Sequence, residues 1–394
     1  MDVVAEGRKI SYGIVQPGEF SPGGIPLIRG KDYSFGWTTI EELFRVSAEI
    51  DHPYRRSKVR PKDLLLTIVG AGTGKVAVVP DWLDGANITQ TTARISVDHD
   101  RFDYRYVKAL LESEIGQRAV RVAIKGGAQP GLNIGDVELF SFYFPTLNAQ
   151  RQIAELLSAW DQAIDTVQAL IANARQQKAA LVQALLTGRN RLPGFSDEWY
   201  ETSIGEVCEQ VTERAAKAVH LPVLSCSKHD GFVESLNYFG KKVFSDNLAD
   251  YKVVHRGMIA FPTNHIEEGS IALQAIADAG LVSPIYCVFQ TTAVDRHFLI
   301  NLLKTDAFTQ RFAAATNASV DRRGSLRWRE FSRILLNLPS RAEQVAIASV
   351  IADAGRNAAT LTAQLAALRK EKGALMQQLL TGKRRVKLDE ASAA

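Results

Sequence analysis

The sequence predicts an α/β fold class: two mixed α/β domains separated by two long antiparallel coiled-coil helices, in a pseudo-two-fold tandem repeat. Three observations predict it. The chain repeats itself without a gap, since residues 145–189 align with residues 339–383. Each copy carries apolar residues at heptad spacing, which indicates a long coiled-coil helix. Before each copy, residues 1–145 and 190–338 show short strand-like runs and turns.

The two repeated segments have recognisable helix ends and a common seam. Pro145 and Pro339 stand where a strand gives way to helix, and Gly188 and Gly382 suit left-handed C-terminal caps. The predicted seam positions are Ile153, Leu157, Trp160, Ile164, Val167, Ile171, Leu181, Leu185, Ile347, Ile351, Leu361, Leu365, Leu368, Leu375 and Leu379.

One lysine interrupts each seam at the same place, Lys178 in the first copy and Lys372 in the second. It either fixes the register of the coil or packs its stem while its ammonium reaches solvent. A helix of about 40 residues is about 60 Å long and cannot bury its seam in a small domain. We therefore expect the copies to pair antiparallel, with a domain at each end. The alternative, each helix packed on its own domain, requires a wider apolar stripe.

Both globular segments are predicted to be mixed α/β domains. The strand-like runs are GIPLIRG, DLLLTIVG and KVAVVP in the first, and HLPVLSC, GMIAFP and SPIYCVFQ in the second. A helix predicted over Tyr104–Gln117 has a counterpart over Phe298–Phe312. Before each long helix, alternating apolar residues predict a strand, at residues 140–144 and 334–338.

The stretch IVGAGTGKVAVV, residues 68–79, is similar to a phosphate-binding loop but departs from its spacing. That loop needs four residues between its glycines and a Ser or Thr after the lysine. Here Gly70 and Gly74 enclose three residues, and Val76 follows Lys75. The β-branched run that follows ends at Pro80, which favours a hairpin turn. A nucleotide-dependent enzyme built on this stretch is the alternative.

Composition is that of an ordinary soluble globular protein, with 46% hydrophobic and 23% charged residues among 394. No apolar run reaches the roughly 18 residues of a membrane span, and no signal peptide is recognisable, so we expect a cytoplasmic protein without a membrane partner. Cys208, Cys226 and Cys287 lack the spacing of disulfides or zinc sites and are interpreted as buried free thiols. The histidines do not cluster, so no catalytic or metal site is predicted.

The loops before the two long helices align without gaps, residues 126–145 with residues 320–339. Gln and Asn match the major-groove edge of adenine, and Arg matches that of guanine, so this loop could change its readout on a constant frame. The alternative is a solvated turn, or arginines that hold phosphates without reading sequence. The aligned pairs are Gln129 with Arg323, and Asn133 with Arg327.

This layout resembles the specificity (S) subunit of type I restriction-modification systems over nearly the whole chain. The motifs that carry the resemblance are P-x-x-x-x-Q at Pro145–Gln150 and Pro339–Gln344, LLTG before Arg189 and Lys383, GRNRLPGFSDEW at 188–199 leading into IGEV, ISYGIVQPGE at 10–19 followed by GIPLIRGKD, and GLVSPIYCVF at 280–289.

The resemblance implies two target-recognition domains that each read one half of a split DNA sequence, with the coiled coil setting the gap. The implied divisions are target-recognition domain 1 (1–145), central spacer helix (146–188), target-recognition domain 2 (189–339), distal spacer helix (340–383) and C-terminal tail (384–394). The second half has a leader, FSDEWYETSIGEVCEQVTER, and the first half begins almost directly at ISYG. We expect the first domain to be shortened, or completed by the C-terminal tail.

The resemblance also implies partners: double-stranded DNA, modification (methyltransferase) subunits that carry S-adenosylmethionine, and restriction (motor-nuclease) subunits that use ATP and Mg. This chain itself would hold no cofactor and catalyse nothing. A coiled-coil DNA-bridging scaffold without enzymatic partners is the alternative function. The DNA-binding candidates are Thr73, Lys75, Gln129, Asn133, Arg322, Arg323, Ser325 and Arg327.

Overall fold

The structure is a computed structural model that describes residues 3–124, 131–215, 221–318 and 325–386. The chain divides into two compact units. Unit 1 comprises Met1–Gln168 and Ala363–Ala394, and unit 2 comprises Ala169–Thr362. Each unit therefore contains one globular segment and a part of each long helix.

Unit 1 is a mixed α/β unit, as predicted. Its elements are β1 (Ser11–Tyr12), β2 (Ile25–Ile28), β3 (Phe44–Val46), α1 (Ala48–Asp51), β4 (Leu64–Thr67), β5 (Val76–Val78), β6 (Asn87–Ile88), β7 (Thr92–Ile95), α2 (Tyr104–Glu112), α3 (Glu114–Ala123), α4 (Ile134–Glu138) and α5 (Leu147–Leu185), which continues into unit 2. An antiparallel sheet has the order β1-β7-β4-β5, and a second sheet has the order β3-β2-β6.

The central strand β4 is apolar at successive positions because hydrophobic cores cover both of its faces. Leu64 and Leu66 lie in one hydrophobic core, and Leu65 lies in another. Because successive side chains of a strand point to opposite faces, a sheet covered on both faces needs an unbroken apolar run.

Unit 2 has the same class of architecture. Its elements are β8 (Tyr200–Ser203), α6 (Ile204–Val207), β9 (Cys208–Val211), β10 (Leu224–Ser227), β11 (Gly231–Glu234), α7 (Ser235–Phe239), β12 (Lys252–His255), β13 (Ile259–Pro262), β14 (Ala272–Leu273), β15 (Ala279–Val282), β16 (Tyr286–Thr291), α8 (Arg296–Leu303), α9 (Asp306–Ala318), α10 (Trp328–Phe331), β17 (Leu335–Leu338) and α11 (Arg341–Leu380), which continues into unit 1.

The predicted tandem repeat is confirmed by the sheets. The order β9-β16-β13-β14 in unit 2 reproduces the order β1-β7-β4-β5 in unit 1, with antiparallel pairing throughout. In both units a pair of helices follows the sheet, then a short helix, then a long one. An additional hairpin, β10-β11, and an additional two-stranded antiparallel sheet, β12-β15, distinguish the described part of unit 2.

Two predictions about local elements are wrong. The helix predicted over Tyr104–Gln117 is divided at Ser113, because the Ser113 hydroxyl accepts the backbone N–H of Gly116 at 3.4 Å and starts a new helix. Its counterpart is divided between Leu303 and Asp306. The strand predicted before each long helix forms as β17, which pairs with β8, while residues 140–144 are in no strand. Among the described residues of unit 1, nothing takes the place of β8.

A buried glutamine explains the P-x-x-x-x-Q motif. The Gln150 side chain accepts the backbone N–H of Asp103 at 3.1 Å and donates to the carbonyl of Pro145 at 2.9 Å. Gln344 makes the equivalent bonds to Asp295 at 2.8 Å and Pro339 at 2.9 Å. Asp103 and Asp295 are the N-caps of α2 and α8. Each glutamine therefore joins the start of a long helix to the first helix of the pair that follows the sheet.

The glycines that close the long helices have the predicted left-handed conformation. Gly188 has φ 70° and Gly382 has φ 69°. The N–H of Asn190 then donates to Ala184, and that of Arg384 donates to Gln378, so orphan carbonyls at each helix end are satisfied. Arg191 follows the first of these turns and donates to both carboxylate oxygens of buried Glu343, at 2.7 and 2.6 Å.

The two long helices share apolar cores in each unit. In unit 1 the start of α5 and the end of α11 meet in a core that includes Leu157 and Leu379. In unit 2 the end of α5 and the start of α11 meet in a core that includes Leu185 and Ile351. This arrangement is antiparallel. Each predicted seam residue is buried or half-buried, and near the helix ends the same cores also include residues of the domain, such as Tyr106.

The seam lysines meet different partners in the two units. The Lys372 ammonium lies 2.5 Å from a carboxylate oxygen of Asp161 on the other helix. The repeat places Gly355 where Asp161 stands in the first copy. Lys178 faces this glycine, and its Nζ would lie 3.3 Å from a Cβ added there. Lys372 thus has an ion pair, whereas among the described residues no carboxylate pairs with Lys178, since a glycine replaces the aspartate. No helix in the described ranges combines the length and apolarity of a membrane span.

We predict that Gln344→Ala lowers the stability of unit 2 by on the order of 2–3 kcal/mol, because it leaves a buried N–H and a buried carbonyl without partners. The measurement is the midpoint of unit 2 unfolding, followed by hydrogen exchange of its amides. Gln177→Ala, at an exposed site on α5, is the control. An unchanged midpoint for Gln344→Ala would contradict the assigned role.

We predict that Gly355→Asp stabilises the helix pair by roughly 0.5 kcal/mol relative to Gly355→Asn, because only the aspartate can pair with Lys178. Asparagine controls for side-chain size and helix propensity. The difference should shrink at high salt and vanish when Lys178→Met is added. Equal stability of the two variants at low salt would show that Lys178 does not face this site.

Candidate nucleic-acid interface

In both units, the segment that carries the predicted DNA contacts is fixed at the end of a central strand. The backbone N–H of Leu132 donates to the carbonyl of Ile68, just after β4, at 2.8 Å. The equivalent Leu326 donates to Thr263, just after β13, at 2.7 Å. Both leucines are buried. The residues beside them therefore lie at the same edge of each sheet, the one where the central strand ends, and the backbone that holds them is alike in the two units.

In unit 1 this edge is formed by the glycine-rich stretch, which is a hairpin turn as predicted. Gly70 has φ 101° and Gly74 has φ 94°, a region that favours glycine. β4 and β5 pair on either side of the turn. Because a strand and not a helix follows, no helix N-terminus is available here for a nucleotide phosphate.

The two candidates in this turn have different roles. The Thr73 hydroxyl donates to the carbonyl of Gly70 at 2.6 Å and so supports the turn. The Lys75 ammonium donates to the carbonyl of Ser34 at 3.2 Å and lies 4.2 Å from the ring centroid of Phe35. Among the described residues no carboxylate pairs with Lys75. Its charge therefore remains available to an anion beside a depression of about 470 Å³.

Asn133 caps the short helix α4. It forms a capping box with Asp136, whose carboxylate accepts the backbone N–H of Asn133 at 3.2 Å. The side chain is exposed, but its oxygen is used by the helix start. A contact from Asn133 to a base would have to use the remaining amide hydrogens. The other candidates of these loops, Gln129, Arg322 and Arg323, lie outside the described residues.

In unit 2 the two described candidates line a depression of about 650 Å³. Arg327 is exposed and caps α10, and Ser325 is half-buried beside it. The depression also includes Asn264, Lys252 and Gln210, which the sequence analysis did not single out. They come from the loop after β13, from β12 and from β9. No sequence signal joins these three positions, because only the folded sheet brings them together.

Lys252 is a cation in a partly buried position on this surface. Its ammonium donates to the carbonyl of Tyr286, and burial lowers the pKa of the Lys252 side chain. Asn264 is exposed, and in the described part of the chain no hydrogen bond holds its side-chain amide. The unit 2 surface thus combines guanidinium, ammonium, amide and hydroxyl groups, a donor-rich set suited to phosphates and base edges.

Neither surface contains a reactive thiol. Cys208 and Cys287 are buried and Cys226 is half-buried, and all three are free. Burial raises the pKa of each thiol to about 12, so that none is a thiolate at neutral pH.

Within the described ranges, one group could hold a metal ion by its spacing: His265, Glu267 and Glu268, whose ligand atoms lie within 4.8 Å. It stands on an exposed turn, and we assign it no metal.

Comparison with known proteins finds similarity to one family over part of the chain. The family model for the type I restriction modification DNA specificity domain matches residues 22–176. The type I restriction enzyme EcoBI specificity subunit of Escherichia coli is 31% identical over 185 residues, which is 47% of this chain and 39% of that protein. The match thus spans about two fifths of the relative's length.

Solved structures with the same fold extend over nearly the whole chain. The S subunit of the type I restriction-modification system from M. genitalium has a TM-score of 0.54 at 14% identity, covering 97% of this chain and 94% of that one. A chain solved for the structural basis of complex assembly and conformational transition of the type I R-M system has a TM-score of 0.56 at 15% identity, covering 96% and 98%. Residues 22–176 therefore match the family of type I restriction modification DNA specificity domains, and the chain as a whole shares the fold of solved type I S subunits.

Proposed function

We propose that this chain is the DNA-recognition subunit of a type I restriction-modification complex, and that each unit reads one half of a bipartite target. One observation carries the proposal: the same sheet is built twice, while the residues at the same edge differ in chemistry. A protein that read one repeated half-site would keep those residues as well as the frame.

The frame is repeated at the level of single hydrogen bonds. Leu132 and Leu326 hold the recognition segments to the sheets, and Gln150 and Gln344 hold the long helices to the domains. At the edge that these bonds define, unit 1 presents Lys75 on a glycine turn, and unit 2 presents Arg327 with neighbouring amide and hydroxyl groups. These groups favour different bases, although the sheets that hold them are alike.

The long helices are proposed to fix the gap between the half-sites. Helices α5 and α11 contain 39 and 40 residues, so each is about 60 Å long at 1.5 Å per residue. Recognition surfaces that read half-sites one helical turn apart are separated by about 34 Å. Two paired helices of this length would be stiff enough and long enough for their length to set the number of base pairs between the half-sites.

The chemistry is proposed to lie on other chains. Modification subunits with S-adenosylmethionine would methylate the target, and restriction subunits would use ATP and Mg, while this chain would bind double-stranded DNA in the cytoplasm without a cofactor of its own. Copurification of a methyltransferase subunit separates this function from that of a DNA-bridging scaffold. Titration of the isolated chain with ATP and S-adenosylmethionine tests the nucleotide-enzyme alternative, and we expect no binding.

We predict that methylation-site sequencing of cells with this chain and its methyltransferase partner finds a bipartite motif with a fixed run of unspecified bases. Deleting one heptad from each helix, residues 165–171 and 362–368, should shorten that run by about three base pairs and leave both half-sites unchanged, because seven helical residues span about 10 Å. Deletion from one helix alone is the control, which should abolish methylation. A continuous motif in the wild type would contradict the proposal.

We predict that Arg327→Ala alters only the half-site that unit 2 reads. If the guanidinium contacts a base, one position of that half-site becomes degenerate, at a cost of about 1–3 kcal/mol in discrimination. If it contacts a phosphate, all sequences bind more weakly and the salt dependence decreases. Exposed Arg356→Ala on α11 is the control. A change in the half-site read by unit 1 would contradict the assignment of one half-site to each unit.

A further inference from the structure

Phe35 in unit 1 is 97% exposed. Single exposed apolar side chains are common on protein surfaces, so the exposure by itself assigns nothing. The way in which the loop holds this side chain outward is informative, because its neighbours on both sides are anchored.

Tyr33, two residues before Phe35, is anchored to the sheet. Tyr33 is buried, and its hydroxyl lies 2.7 Å from the hydroxyl of Thr67 on β4 and 3.2 Å from that of Thr92 on β7. Burial raises the pKa of Tyr33, so the phenol keeps its proton for these bonds. Trp37, on the other side of Phe35, packs against the Tyr33 ring at a centroid distance of 5.6 Å. The loop is thus attached at both ends, and Phe35 projects between the attachments.

The backbone of the loop is also hydrogen-bonded. The Ser34 hydroxyl donates to the carbonyl of Gly30 at 2.6 Å, and the N–H of Thr38 donates to the carbonyl of Asp32 at 2.9 Å. A ring on such a support loses little conformational freedom when it is inserted into a ligand. This pre-organisation favours binding through the exposed side chain.

A cation from a different part of the chain stands beside the ring. Lys75, from the glycine turn, lies 4.2 Å from the Phe35 centroid and donates to the carbonyl of Ser34. The glycine turn is at the sheet edge where the recognition segment is fixed through Leu132. At the proposed DNA-binding edge an ammonium group therefore lies over one face of an apolar ring, and the other face is left for a ligand.

We propose that Phe35 is a wedge that stacks on a nucleobase in the half-site read by unit 1, with Lys75 on an adjacent phosphate. This inference rests on the proposed function. Apolar wedges inserted at a base step partly unstack it and bend the duplex, and their cost depends on the deformability of that step. Phe35 would therefore contribute to specificity through DNA shape, without hydrogen bonds to base edges.

The test uses the full chain with its copurifying methyltransferase subunit and a duplex that carries the target, with 2-aminopurine placed in turn at each purine of the unit 1 half-site. With the wild type, 2-aminopurine fluorescence should increase at one step apart from the base that the methyltransferase subunit flips, because the wedge unstacks the probe there. Phe35→Ala should lose this increase and bind about tenfold more weakly, the size expected for one lost base stack, whereas Phe35→Trp should retain both.

Controls separate a wedge from a charge effect and from misfolding. Phe20→Ala removes another exposed phenylalanine of unit 1, at 52% exposure, and should change neither fluorescence nor affinity. Lys75→Ala should reduce the salt dependence of binding by about one phosphate, whereas Phe35→Ala should leave it unchanged. The thermal unfolding midpoint should not change in Phe35→Ala, since the side chain is exposed.

The wedge is overturned if Phe35→Ala binds the target as the wild type does and keeps its fluorescence pattern. It is also overturned if this variant fails to copurify the methyltransferase subunit, which would assign Phe35 to a protein contact. In both cases sequence-specific DNA binding by the wild type would leave the proposed function standing. A wild type that binds no DNA sequence specifically would count against the proposed function itself.

Discussion

The structure depends on one buried amide that occurs twice. Gln150 and Gln344 each use both ends of the side-chain amide, one to hold the carbonyl of the proline before the long helix and one to hold the N-cap of α2 or α8. A buried amide has no low-energy alternative to these bonds, since water cannot replace the partners. The direction in which each long helix leaves its domain is therefore set by the same interaction in both units.

The seam between the helices is a narrow apolar stripe, which leaves little apolar area to specify the register of the two helices. Polar positions supply that specification. Lys372 with Asp161 in unit 1, and Lys178 opposite Gly355 in unit 2, give a repeat that is symmetric in its apolar residues and asymmetric in its charges. Unit 1 has an ion pair across the seam where unit 2 offers only the lysine.

The two candidate DNA-binding surfaces share a backbone frame and differ in the groups that they expose. The leucine that fixes each recognition segment is buried and bonded in the same way in both units. The groups around it are a lysine and an exposed aromatic ring in unit 1, and an arginine with amides and hydroxyls in unit 2. Under the proposed function, a fixed frame with replaceable surface groups would let one architecture serve two different half-sites, because side chains at the edge, and not the sheet, would read sequence.

The sequence by itself determined the features that are periodic or local. The heptad spacing predicted both long helices to within a few residues, the glycine spacing around Gly70 predicted a turn, and short apolar runs bounded by turns predicted β4, β5 and β13. Tertiary structure decided what depends on contacts between distant segments. β17 forms because β8 pairs with it, and residues 140–144, with the same alternation, have no such partner. Likewise Asn264, Lys252 and Gln210 belong to one surface only because the fold brings β9, β12 and the loop after β13 together, and the loop that carries Phe35 is anchored by a tyrosine bonded across two strands. Local propensity carries no information about which distant segment will supply a hydrogen bond, and these features depend on such bonds.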